Sequence, residues 1–252
     1  MVIQCSQKGK TMFTKLKELQ LAILGLLITL GMISSALIIS DNLSNDNITV
    51  TGSAYQIVQS DSASWSFTVN LKSTDKLSGH KELKNAQPKI FQYLKDKGID
   101  TKQIDITPYN SYPTYRTLPN GHSSNDISHY NFNQTYKVTS NNVEKIKLLS
   151  TEISELIEKG IDISSHSPQY QYSGIGELKI KLLHQATQDA KERAQAMLGA
   201  NNNRVDKMRS VRMGVFQITQ PNSNSVSDYG IHDTSTIDKK VTAVVNVVFG
   251  IK

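Results

Sequence analysis

Apolar residues recur at helical spacing along Ile180–Leu198. Leu178, Leu182, Ala186, Ala190, Ala194 and Met197 follow one another at intervals of four and finally three, so they form one stripe on a helix. Three alanines in that stripe let a neighbouring backbone come close, which suits a helix lying flat on a sheet. Gly199 supplies a left-handed stop, and Asn201-Asn202-Asn203 continues outside the helix. Strict alternation marks the strands. Ala63, Trp65, Phe67, Val69 and Leu71 alternate with Ser64, Ser66, Thr68 and Asn70, a strand with one wet face and Trp65 on the buried side. Lys239–Ile251 carries Val241, Ala243, Val245, Val247, Phe249 and Ile251 on one face. Val244 and Val248 make its other face partly apolar, so it is expected at the centre of a sheet.

The remaining elements follow in order. Ile48–Gly52 predicts a short strand with Gly52 at a turn or bulge. Thr74 or Asp75 caps a helix running to Lys97, with Gly98 as its stop and Pro88 expected to kink it or restart it. Residues 103–138 predict one long hairpin turning at Pro119-Asn120-Gly121. Asn141 and Glu144 form a capping-box pair for a helix ending at Gly160. Ile161–Tyr172 is a strand region, Val205–Ile218 a strand and Thr219–Ile237 a polar loop. The order suggests two strand–helix–strand–strand units joined by the alanine helix, without a residue-level repeat. The fold class expected is α+β, with antiparallel sheets and packed helices.

Ahead of this region, Leu21–Ser40 contains no charge in 20 residues, enough to cross a hydrocarbon core of about 30 Å. Lys8, Lys10, Lys15 and Lys17 precede it, so the N-terminus is expected in the cytoplasm and residues 41–252 across the membrane. Two readings stand: an uncleaved signal-anchor through Leu21–Ile39, and a signal peptide cut near Ala36 after small residues such as Ser34. Met12 is an alternative start to Met1. The layout is residues 1–20 cytoplasmic, 21–40 the apolar helix, 41–47 a polar linker and 48–252 the folded domain.

Composition narrows the chemistry. With 38% apolar and 20% charged residues, the 252-residue chain can bury a core. The net charge is +6, of which residues 48–252 hold +5. These charges are scattered, so no nucleic-acid partner is expected. Arg204, Lys207, Arg209 and Arg212 are the exception worth weighing as an anionic-surface site. In an uninterrupted strand, Lys207 and Arg209 point one way and Arg204 and Arg212 the other, which divides the charge. The one cysteine, Cys5, lies outside the domain, so there is no disulfide framework or cysteine nucleophile within it.

Of six histidines, His122 and His129 share a loop with Asp126 and are the one candidate metal or catalytic group. No G-x-S-x-G elbow occurs, and G-I-G-E at 174–177 lacks the rest of a phosphate loop. Tyr109, Tyr112, Tyr115, Tyr130 and Tyr136 gather on the predicted hairpin, as a half-buried sheet face or as a binding surface.

Several stretches in order resemble the SIMPL-domain family, which includes periplasmic and outer-membrane-associated immunogenic proteins and oxidative-stress-defence proteins. They are I-T-V-T-G at 48–52, S-D-S-A-S-W-S-F-T-V at 60–69, Y-L-K-D-K-G-I-D-T-K-Q-I-D-I-T-P-Y at 93–109, A-T-Q-D-A-K-E-R-A-Q-A-M-L at 186–198 and the terminal apolar strand. The Asn-rich run after the helix departs from the family's Gly-Lys-rich turn. The resemblance implies an α+β domain outside the cytoplasm, with a tendency to self-associate found in some members and no accepted catalytic motif, so no site residue or cofactor carries over. The expectation is a non-enzymatic envelope protein, a homo-oligomer held at the inner membrane or released to the periplasm, acting in envelope or oxidative stress tolerance.

Overall fold

The computed structural model describes residues 19–36 and 46–252. Expectations for Cys5, Met12, the four N-terminal lysines, residues 37–40 and most of the linker lie outside these. Helix α1 (Leu19–Ala36) has a mean hydropathy of 2.0, and none of it is buried.

The domain is built from strands β1 (Asn47–Gln59), β2 (Ser62–Ser73), β3 (Ile104–Ile106), β4 (Asn110–Thr117), β5 (Ser123–Ser140), β6 (Asp162–Ser165), β7 (Gln169–Gln171), β8 (Val205–Met213), β9 (Gln217–Thr219), β10 (Ile231–His232) and β11 (Asp238–Ile251). Its helices are α2 (Lys76–Asp96), α3 (Val143–Glu152), α4 (Glu155–Glu158) and α5 (Ile175–Gly199). The strands make two sheets. In the first, β11 runs at the centre between β1 on one side and β8 and β9 on the other, and β10 adds to β9. In the second, β5 and β2 are central; β3 and β4 pair with β5, and β6 and β7 with β2. All pairs are antiparallel except β9–β10. The fold is therefore α+β with antiparallel sheets, as the pattern predicts. The second sheet is continuous in sequence, whereas the first joins the two ends of the domain.

Each sheet has its own core. In the first, α5 lays Leu178, Leu182, Ala186, Ala190 and Ala194 over β1 and β11. The stripe ends at Leu198, 7% exposed, rather than at Met197, 58% exposed, because the interval of four continues to the last turn. Gly199 is still helical, and the left-handed turn falls on Asn202 (φ 62). The predicted short strand is instead the 13-residue β1, and Gly52 lies in unbroken register opposite Val245. Its missing side chain is explained by α5. A Cβ there would collide with the carbonyl of Ala186 and come within 2.6 Å of Ala190 N. Glycine on the strand and alanines on the helix together set the separation of the two.

The second core holds Trp65, Phe67 and Tyr136, with the Phe67 and Tyr136 rings stacked at 5.1 Å. Burial pushes the Tyr136 hydroxyl up to about 12. Trp65 Nε1 donates to Ser165 Oγ, which donates to the carbonyl of Ser150, so the buried indole is tied to β6 and α3. Helix α2 starts at Asp75, whose carboxylate accepts from Ser78 N. The helix runs through Pro88 without restarting, with that residue on its exposed side. The cap of α3 is Asn142, accepting from Lys145 N, one residue beyond the predicted Asn141–Glu144 box. The single helix expected up to Gly160 breaks at Ile153–Ser154 into α3 and α4.

Candidate functional site

Three places gather the chemistry: the seam between the sheets, the hairpin beyond the second sheet, and the β8 edge of the first.

At the seam, Ser60 N donates to the carbonyl of Ile237, Asp61 N to that of Gln171, and Tyr170 N to that of Thr234. Asp61 accepts from the backbone and hydroxyl of Ser173, and the hydroxyl contact most strongly holds its carboxyl below the usual range. Lys239 is 3% exposed. Its ammonium donates to the carbonyls of Asp233 and Thr236, each at 2.7 Å, and lies 3.8 Å from the Asp233 carboxylate. Burial pushes the Lys239 pKa down while Asp233 opposes that shift. Burial also works against the Asp233 charge. Hydrogen bonds from Ser235 and Thr236 outweigh it and bring the carboxyl to about 2. A cavity of about 120 Å³ beside this group is lined by Tyr170, Tyr172, His232 and Lys239. A buried lysine next to a cavity resembles an activated amine, but two of its protons are committed to carbonyls. The arrangement closes the 233–239 loop around an ammonium, and Lys239 is a structural clamp. Lys239 occupies the first inward position of an apolar strand, where pattern alone marks nothing.

The expected single hairpin over 103–138 is built in two parts. Strand β5 pairs first with β4 and later with β3. The last β2 partner of β5 is Tyr130, opposite Ser73. Beyond it, Thr114–Thr117 and Ser123–His129 form a two-stranded arm with no third strand among the described residues. It turns at Pro119-Asn120-Gly121, where Gly121 adopts φ +82. The predicted tyrosine cluster divides accordingly. Tyr136 is core, Tyr130 lies under the Lys76 ammonium at 5.5 Å, and Tyr109 packs against His80 and Phe132. Tyr112, Tyr115, Leu118 and Ile127 remain exposed, with Tyr115 opposite Ile127 across the arm. His122 lies at the turn and His129 sits opposite Thr114, hydrogen-bonded to Ser128. They and Asp126 do not converge: among the described residues, no three His, Cys, Asp or Glu groups could hold a metal. Gly174 and Ile175 of the G-I-G-E stretch begin α5, which is what that segment does.

The predicted strand Val205–Ile218 breaks at Gly214 into β8 and β9, and the following loop contains β10. The divided charge expected along β8 is also overturned. Register shifts leave Arg209 unmatched between Met208, opposite Phe249, and Ser210, opposite Val248. A bulge breaks alternation. Arg209 therefore lies beside Gly250, its Nε 3.1 Å from where a Cβ would stand. That is the face on which Arg212 lies opposite Asn246. On the other face, Met208, Val211 and Met213 continue the row of Phe249, Val247 and Val245. Helix α5 covers β1 and β11 and leaves these three exposed, Val211 by 50% and Met213 by 61%.

Residues 48–249 match the model of the SIMPL family, described as a protein of unknown function (DUF541). No curated protein matches the chain.

Proposed function

Since the chain belongs to the SIMPL family, we propose that it is a non-enzymatic envelope module, tethered by α1 and acting through contacts with further copies of itself. The observation that carries this reading is α1. It is 18 residues long, carries no charge and is predominantly apolar, and no part of it is buried against the domain. At 1.5 Å per residue it reaches about 27 Å, and the apolar sequence continues through Ile39. A water-exposed helix of this kind is costly, and a bilayer is the medium that relieves the cost. The lysines before it orient the domain outward, into the periplasm.

Self-association is assigned to the β4–β5 arm. A two-stranded ribbon is marginal alone in water, and this one presents Tyr115, Leu118 and Ile127, with Tyr112 exposed just before it where β2 still pairs with β5. Aromatic side chains on a preformed scaffold favour interfaces, because they add large contact area at low entropy cost. The physiological setting is envelope or oxidative stress tolerance, on the strength of the family resemblance. Protease added to spheroplasts tests the topology. Degradation of the domain supports the proposal, and protection until lysis contradicts it.

A further inference from the structure

The N-terminal end of β1 lies at the membrane end of the domain, if α1 is an anchor. Residues 41–46 separate the apolar run from β1. Six residues reach at most about 20 Å. The neighbours of that end are fixed by pairing. Asn47 lies opposite Gly250, and Ile251 N donates to the carbonyl of Asp46. Arg204 and Lys252 exchange backbone hydrogen bonds, and Val205 lies opposite Ile251. Strand β8 thus starts at the same end of the sheet as β1, two strands away, or about 10 Å.

From Arg204 to Met213 the chain carries four cations, Arg204, Lys207, Arg209 and Arg212, against Asp206 alone. All four cations are exposed, and none takes part in an ion pair among the described residues. The outer edge of β8 has no strand partner among the described residues. We propose that β8 is a lipid-contact edge. Its cations engage the anionic headgroups of the bilayer that holds α1, and Met208, Val211 and Met213, on the opposite face of the same edge from Arg209 and Arg212, enter the interfacial layer. This rests on the anchor reading above.

Two features favour a lipid surface over a second copy. Antiparallel pairing of β8 with another β8 would bring cations of both chains together, and such pairs repel. The bulges at Met208–Ser210 and near Val205 also interrupt the regular ladder an added strand needs. A headgroup layer needs no ladder. It rewards cations adjacent to exposed apolar side chains, the combination found in segments that lie on membranes. The opposite edge of the sheet lacks this character. At β1, Ser53 N donates to Asp189 at 2.8 Å, so an acidic side chain covers that edge.

The test uses the full chain with Cys5→Ser, which leaves no other thiol. Met208→Cys carries an environment-sensitive fluorophore, and a second preparation carries it at Asn120→Cys on the arm. Each is placed in nanodiscs of phosphatidylcholine alone, or of equal phosphatidylcholine and phosphatidylglycerol. The expected result is a blue shift at position 208 in the anionic discs only. The shift disappears in about 0.5 M NaCl, where screening is within a few ångströms, and in Arg209→Gln/Arg212→Gln. Position 120 does not respond. The same response in both lipids, or equally at both positions, overturns the proposal and leaves the anchor standing. A chain that does not co-elute with discs overturns the anchor and the proposal together.

Discussion

A methyl group at position 52 would meet the backbone of α5 at Ala186 and Ala190. Neither side can withdraw, since β1 is paired along its length with β11 and the alanines are already minimal. Gly52→Ala should therefore destabilise the domain by about 3 kcal/mol, at the upper end of overpacking costs, and chemical denaturation reads it. Asp233 gives a second residue-scale outcome. Its folded carboxyl titrates at about 2 against 3.8 in the unfolded chain. Its contribution, about 2 kcal/mol, is complete above pH 3.8 and is lost as pH falls through about 2. Asp233→Asn should lower stability at neutral pH and flatten the acid limb across that interval. Lys239→Met removes the ammonium between two carbonyls and Asp233, and should cost about 3 kcal/mol. An unchanged melting temperature would contradict the clamp. These residues also mark where sequence was opaque. Gly52 reads as a turn signal because the reason for it lies 134 residues later, on another element. Gly199 offers a left-handed stop, yet Asn202 takes that geometry, since the helix keeps its buried stripe through Leu198.

At the scale of elements, periodicity located most of the strands and helices, because each buries one face against a core. The alternation of β2 and β11 follows burial residue by residue. Pairing was less legible. Nothing local says that β1 joins β11 rather than β2, the next strand in sequence. The arm was visible as a turn between tyrosines, but not as a ribbon leaving its sheet, since that depends on where β2 ends. Bulges were invisible too, and one of them brings Arg209 to the face of Arg212, from which the alternation had separated it. The arm carries the element-scale prediction. Tyr115→Ser with Ile127→Ser should reduce the mass of the assembly in light scattering while leaving the melting temperature within about 1 °C, since both side chains are already exposed. Loss of the fold would instead make the arm part of the core. An unaltered assembly would place the contacts elsewhere.

At the scale of the molecule, the two sheets are separate cores joined at Ser60–Asp61 and by the Asp233–Lys239 loop, with the membrane-length helix preceding both. The family and the α+β class were readable from short segments in order, because those segments are the packed ones. The histidine pair does not converge with Asp126 for the complementary reason: residues near in sequence on a two-stranded arm are spread along it. The tether and the self-association are tested together by the intact mass of the protein extracted from isolated envelopes, with its sedimentation in mild detergent. A tethered, self-associating module gives a chain of 28.0 kDa, recovered in the membrane fraction and sedimenting as an oligomer. A soluble periplasmic chain lacking its first 36 residues and sedimenting as a monomer would contradict both the tether and the self-association.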